Sequence, residues 1–188
     1  MFANSTGAIV VLALLLAASI GPVSPANILM LCPICPRSHK NVIEPIARQL
    51  VSNHTVTMVS SFRTGIDSPN FRDIIVMDGF DYYKNTNSLK VREQGATGAF
   101  ENDVMTAVLD GCRDTYQNQE FIKLLLQKWD LVVMNAFDNH CLQGFVFKTQ
   151  APVIWFMPLP SPGSFSILFG NFLPPSFVPD VFLPFRAI

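Results

Sequence analysis

The chain has 188 residues, of which 49% are hydrophobic and only 14% charged, with 13 basic and 14 acidic side chains giving a formal net charge of -1. That length suits one domain of ordinary size, and the charged fraction is well under the ~25% of an average soluble domain. The basic residues neither outnumber the acidic ones nor cluster, which excludes an electrostatic footprint for nucleic acid.

Gly7 to Ile20 are nearly all apolar. The run is short for a membrane span, which needs about 20 apolar residues. It suits the core of a signal peptide, with small residues following at Ser19–Gly21 and at Ser24 and Ala26; a buried N-terminal helix is the alternative. Cleavage near Ala26 divides the chain into a signal peptide at 1–26, an α/β domain at 27–157 and an extended Pro/Phe-rich segment at 158–188. No second apolar run reaches span length. Entry into the secretory pathway lets disulfides persist. The four cysteines, Cys32, Cys35, Cys112 and Cys141, hold one C-x-x-C and no second pair, so no zinc or other metal site is expected. Asn53-His54-Thr55 is an N-glycosylation sequon in a predicted turn.

Asn27–Leu31 is an apolar run of buried-strand length. A helix follows over Asn41–Val51, with Asn41 and Glu44 spaced as a capping pair and Pro45 near the start. Thr55–Ser60 and Arg72–Met77 read as the second and third strands. Asp81–Gly98 is polar and reads as a long loop leading into a helix from Phe100, where Val104, Met105, Val108, Leu109 and Cys112 recur at helical spacing. A further helix spans Gln119–Lys128. Asp130–Met134 is a strong buried strand, and a helix over Asn139–Lys148 and a strand over Val153–Met157 complete the series. Such alternation predicts an α/β fold, a Rossmann-like parallel sheet with helices on both faces. Ligands bind such sheets at the carboxyl ends of the strands, which singles out the loops 32–40 and 135–140. Residues 151–188 carry 8 of the 14 prolines and 7 of the 16 phenylalanines, a composition for an extended segment packed on something.

Cys32-Pro33-Ile34-Cys35 lies between a strand and a helix, where a thioredoxin-like redox centre would sit and where a helix N-terminus lowers a thiol pKa. A packed thiol pair or structural disulfide is the other reading. Arg37-Ser38-His39 occupies the same loop. A histidine there, with an unperturbed pKa of ~6.5, is mostly neutral at pH 7 and can act as a general base; an exposed loop histidine is the plainer alternative. His54 and His140 have nothing comparable, and Glu44 and Glu101 read as helix-surface residues.

Ala26-Asn27-Ile28-Leu29 and Pro36-Arg37-Ser38-His39, then Trp129-Asp130-Leu131-Val132-Val133, then the stretch Gly170-Asn171-Phe172-Leu173-Pro174-Pro175-Ser176-Phe177-Val178-Pro179, closely resemble animal UDP-glycosyltransferases, including the glucuronosyltransferases. The last stretch resembles the arthropod branch. The resemblance implies the N-terminal half of a two-domain, GT-B type glycosyltransferase. That half binds a small lipophilic hydroxyl acceptor such as a steroid, phenol or xenobiotic alcohol, and needs no cofactor of its own. UDP-sugar is the co-substrate, held by a C-terminal donor domain for inverting hexosyl or glucuronosyl transfer. His39 matches the family's general base, with Ser38 and His39 at the acceptor. The family's aspartate, which steadies that histidine, falls on Asn135. An amide carries no charge to balance an imidazolium, and the comparable change in a serine-protease triad costs ~10⁴-fold in turnover. Asp138 is the carboxylate that could compensate if its loop turns inward. The donor domain and the family's C-terminal membrane anchor have no counterpart in the 188 residues. The expectation is therefore an acceptor-binding half, inactive alone, in the endoplasmic reticulum lumen or secreted. The alternatives are a non-catalytic lipophile-binding module and, further off, an oxidoreductase acting through Cys32 and Cys35.

Overall fold

A computed structural model describes residues 24–77, 93, 102–159, 166–167 and 170–171. The predicted signal peptide up to residue 23, almost all of the polar 81–98 stretch, and most of the Pro/Phe-rich segment lie outside them. The elements, in chain order, are β1 (Asn27–Cys32), α1 (Arg37–Leu50), β2 (Thr55–Ser60), β3 (Phe71–Ile75), α2 (Asn102–Gln117), α3 (Gln119–Lys123), β4 (Leu131–Asn135), α4 (Gln143–Thr149) and β5 (Val153–Phe156). Short 3₁₀ turns at Leu124–Leu126 and His140–Leu142 follow α3 and precede α4.

The five strands form one sheet in the order β3-β2-β1-β4-β5, every pair parallel. β1 alternates its side chains between two cores, as a strand's period of two requires. Leu29 and Leu31 pack with Phe121, Leu124, Trp129 and Phe145 of the α3–α4 layer, while Ile28, Met30 and Cys32 pack with Ile43 and Ala47 of α1. The sheet is thus covered on both faces, the α/β Rossmann-like arrangement that the alternation of elements implied. Among the described residues every strand pairing is parallel.

One boundary differs in a way that moves the site. Helix α1 begins at Arg37, not Asn41, behind Pro36, which supplies no side-chain cap. Asn41 is therefore no cap, and Pro45 lies deep inside the helix, where its missing N–H removes one backbone hydrogen bond. Lys40, Glu44 and Arg48, spaced by four, form a salt-bridged ladder across this break: Lys40 Nζ lies 2.6 Å from Glu44 Oε2, and Arg48 Nη2 2.6 Å from Glu44 Oε1. Lys40 and Arg48 also donate to the Arg63 and Thr64 carbonyls beyond β2. In the Pro/Phe-rich segment, Ser166 and Ile167 are helical rather than extended. The Gly170 and Asn171 N–H groups return to the Ile167 and Ser166 carbonyls, with Gly170 at φ 75°. This is the closure that glycine provides at a helix C-terminus.

Candidate active site

The chain runs outward from β1 through β2 to β3, then crosses back to place β4 on β1's other side. The strand order reverses there, and the crevice above the carboxyl ends of β1 and β4 is where such sheets bind ligands. The loops after these two strands bring His39, Asn135, Asp138 and the Cys32–Cys35 pair to this end of the sheet.

Because α1 starts early, His39 is the third residue of the helix, its N–H bonded to the Pro36 carbonyl at 3.0 Å. The imidazole is half-buried and meets the ring of Phe137 edge-on, with centroids 5.4 Å apart. Burial lowers its pKa from the ordinary 6.5 by penalising the charged form, so the ring is neutral at pH 7. Its Nδ1 is buried and has no hydrogen-bond partner. Beside it Ser38 is exposed, and the Arg37 guanidinium lies over the Phe62 ring, 4.4 Å from its centroid.

Asn135 ends β4, almost fully buried. Its Oδ1 accepts the Phe137 N–H at 3.2 Å, and its Nδ2 lies 3.5 Å from Cys32 Sγ. The Phe137 N–H fixes which way the amide points, since only the oxygen can accept from it. Asn135 is therefore committed within its own loop and to the neighbouring strand, and does not hold the imidazole as the family aspartate would. Asp138 follows with φ 61° in the left-handed region, which Asp tolerates better than most residues. Neither residue hydrogen-bonds His39 Nδ1.

Cys32 and Cys35 form a disulfide, and both residues have no exposed surface. Thiol exchange needs access to a sulfur, so this buried staple lacks the setting of a redox centre. Cys112 of α2 pairs with Cys141 in the 3₁₀ turn after β4. The two disulfides brace the loops on either side of the crevice, and among the described residues no cysteine is free and no metal-ligand cluster is found. His54 has a structural task, accepting the Ala26 N–H on Nδ1 at 3.1 Å. Asn53 is exposed in the turn after α1. Near it, Pro25, Ser52, Asn53, His54, Thr55 and Asn70 line a polar depression of about 630 Å³. It lies at the amino-terminal edge of the sheet, opposite the crevice, and we assign it no part in the chemistry. No described helix is long and apolar enough to cross a membrane.

Sequence reasoning missed three residues that shape the site. Phe137 was unremarkable as one of 16 phenylalanines. Lys40 is buried at 2% exposure, although the series Lys40, Glu44 and Arg48, each four residues from the next, was readable. Asn139 is buried and bonded to Ile34, 105 residues upstream, a contact with no local signal.

Fold and crevice define a Rossmann-like α/β domain that presents a neutral histidine at its topological switch point. Over 133 residues, 69% of this chain, it is 31% identical to UDP-glucosyltransferase 2 of Dactylopius coccus. The match supports the UDP-glycosyltransferase family, with this chain corresponding to its N-terminal part, and the parallel sheet is consistent with the N-terminal half of a GT-B protein. The matched stretch covers 26% of that relative, so the chain spans about a quarter of the protein it resembles. No family model matches, and no solved structure does.

Proposed function

We propose that this chain is the acceptor-binding half of a UDP-glycosyltransferase that glycosylates small lipophilic alcohols or phenols. The observation that carries the reading is the placement of His39: a neutral imidazole on the first turn of α1, over the carboxyl ends of β1 and β4. With Nδ1 buried, Nε2 is the nitrogen for the acceptor. It takes the hydroxyl proton as the acceptor oxygen attacks the anomeric carbon of the sugar. The bond from that carbon to the UDP oxygen breaks, and its electron pair leaves with UDP. This route inverts the anomeric centre. UDP-sugar, a co-substrate, would be held by a donor domain. The two disulfides, and a sequon whose Asn53 is exposed, suit a secretory compartment such as the endoplasmic reticulum lumen.

The same geometry favours a second reading. For Nε2 to accept a proton, the neutral ring must carry its own proton on Nδ1, and that buried N–H needs an acceptor. Asn135 does not supply one. A protein that binds lipophiles at this crevice without transferring sugar is the natural alternative. Thermal denaturation of the chain with phenols, steroids and UDP-sugars tests binding, since a ligand at 100 times its Kd adds about 2.7 kcal/mol to stability. Acceptors should raise the midpoint and UDP-sugars should not; no response to any acceptor would overturn both readings. Joining residues 27–188 to a relative's donor half separates them. Turnover that His39→Gln abolishes supports the transferase, whereas acceptor binding with no turnover supports the binding module.

A further inference from the structure

Beyond Leu31 and Met134 the β1–β4 ladder has no further paired residues, yet the loops that continue these strands remain tied to each other. Asn139, with no exposed surface, provides the continuation. Its Oδ1 accepts the Ile34 N–H at 3.1 Å, and its Nδ2 donates to the Ile34 carbonyl at 2.9 Å. One side-chain amide thus pairs with both backbone groups of a single residue, as a neighbouring strand would. The same Nδ2 donates to the Phe137 carbonyl at 2.7 Å, so the amide grips its own loop while it grips the opposite one. Ile34 is fully buried between the two cysteines of the Cys32–Cys35 disulfide, and Cys141, two residues past Asn139, is tied to α2. The clamp therefore joins two loops that are each braced separately.

From this arrangement we infer that Asn139 is the positioning residue of the crevice: by locking the β4 loop onto the β1 loop it holds the Phe137 ring against His39. A carboxylate at 139 could not do the same, because it has no donor for the two carbonyls. Alanine would leave the Ile34 N–H and two carbonyls with no amide partner. Ser61, whose hydroxyl donates to the Pro33 carbonyl, holds the β1 loop from the β2 side, so the loop remains anchored at one point when Asn139 is replaced. The effect of losing Asn139 falls on the gap between the loops, where Phe137 covers the imidazole. Burial lowers the His39 pKa, and the Phe137 ring is one of the groups in contact with the imidazole.

The structural part of this inference stands without the transferase reading, and only its catalytic consequence rests on it. Two measurements on the full chain test it. In the unaltered protein, the Ile34 amide should exchange with solvent deuterium slowly, like the strand amides beside it; exchange at the rate of an open loop would overturn the clamp. In Asn139→Ala, with both disulfides verified, the His39 imidazole followed by NMR should titrate nearer the ordinary value, and its ring-current shift from Phe137 should shrink. A folded Asn139→Ala with both signals unchanged would refute the assignment. If Asn139→Ala does not fold, Asn139→Ser, which keeps one hydroxyl donor, should show the same changes to a smaller extent, and unchanged signals there carry the same refutation. If the clamp is verified while His39→Gln leaves acceptor binding and turnover untouched, the transferase reading fails and the inference survives.

Discussion

The ladder on α1 makes an asymmetric prediction. Lys40 is 2% exposed and Glu44 15%, and the Lys40 ammonium has two partners at 2.6 Å, Glu44 Oε2 and the Arg63 carbonyl. Glu44→Ala leaves that ammonium buried with one neutral oxygen. Stripping one partner from a buried pair costs about 3–5 kcal/mol, or roughly 6–20 °C in Tm at 2–4 °C per kcal/mol for a domain of this size. Lys40→Met keeps the volume of the stem and leaves Glu44 paired with Arg48, itself half-exposed. Its cost is the unmet Arg63 carbonyl, about 1–3 kcal/mol. Glu44→Ala should therefore be the worse variant by about 2 kcal/mol, measured by urea denaturation at pH 7 with the m-value checked for constancy. If Lys40→Met costs as much as Glu44→Ala, the argument fails, because the charge left behind is then not what costs. The acid limb gives a second readout. Burial raises the Glu44 pKa, but the bonds from Lys40 and Arg48 outweigh this and hold it below its ordinary 4.5. A carboxylate with a depressed folded pKa contributes stability that is complete above the ordinary value and lost as pH falls through the lowered one. Glu44→Gln should flatten that acid loss.

For His39 the sign runs the other way from a salt-bridged histidine. Its folded pKa is depressed, so the unfolded chain binds the proton more readily and stability falls as pH drops below 6.5. His39→Gln should lose less Tm than the unaltered chain between pH 7.5 and pH 5; identical profiles would contradict the burial of the ring. Asn135→Asp should raise the His39 pKa, because a carboxylate beside an imidazole favours its charged form, and in a chimaera with a donor half it should raise turnover. An unmoved NMR titration would show that residue 135 does not reach Nδ1. The Cys112–Cys141 disulfide closes a separation of 29 residues, for which chain entropy gives roughly 3.6 kcal/mol. The double alanine variant should lose most of that in denaturant unfolding, and a loss under about 1 kcal/mol would refute the brace.

Local pattern carried most of the sheet. Thr55–Ser60 matched its strand at both ends, because its β-branched residues sit between turn signals. The start of α1 was misread for a physical reason. Pro36-Arg37-Ser38-His39 supplies no side-chain cap, whereas Asn41 and Glu44 carry the spacing of a capping box. Glu44 is there instead for Lys40 and Arg48, one turn away on each side. The turn at Gly170, where the chain bonds back to Ser166 and Ile167, carries the glycine signal of a helix stop, but the prolines around it point to extended chain. The disulfide pairing and the Asn139 clamp were beyond sequence: four cysteines allow three pairings, and contacts 105 residues apart leave no periodicity.

His39 was singled out in the sequence by its place after β1 and by the family likeness, yet its chemistry depends on what faces Nδ1. In a buried setting one atom decides the tautomer. A carboxylate there would hold the proton on Nδ1, free Nε2 to act as base, and stabilise the imidazolium once formed. Asn135 spends its oxygen on the Phe137 N–H and turns its amide nitrogen to Cys32. The burial that keeps His39 neutral, and so able to accept a proton, also makes the protonated product costly, with no charge from Asn135 to offset it. On the proposed function, a site built this way would receive an acceptor hydroxyl more readily than it would activate one. Restoring the carboxylate is the change that should move it from the first task to the second.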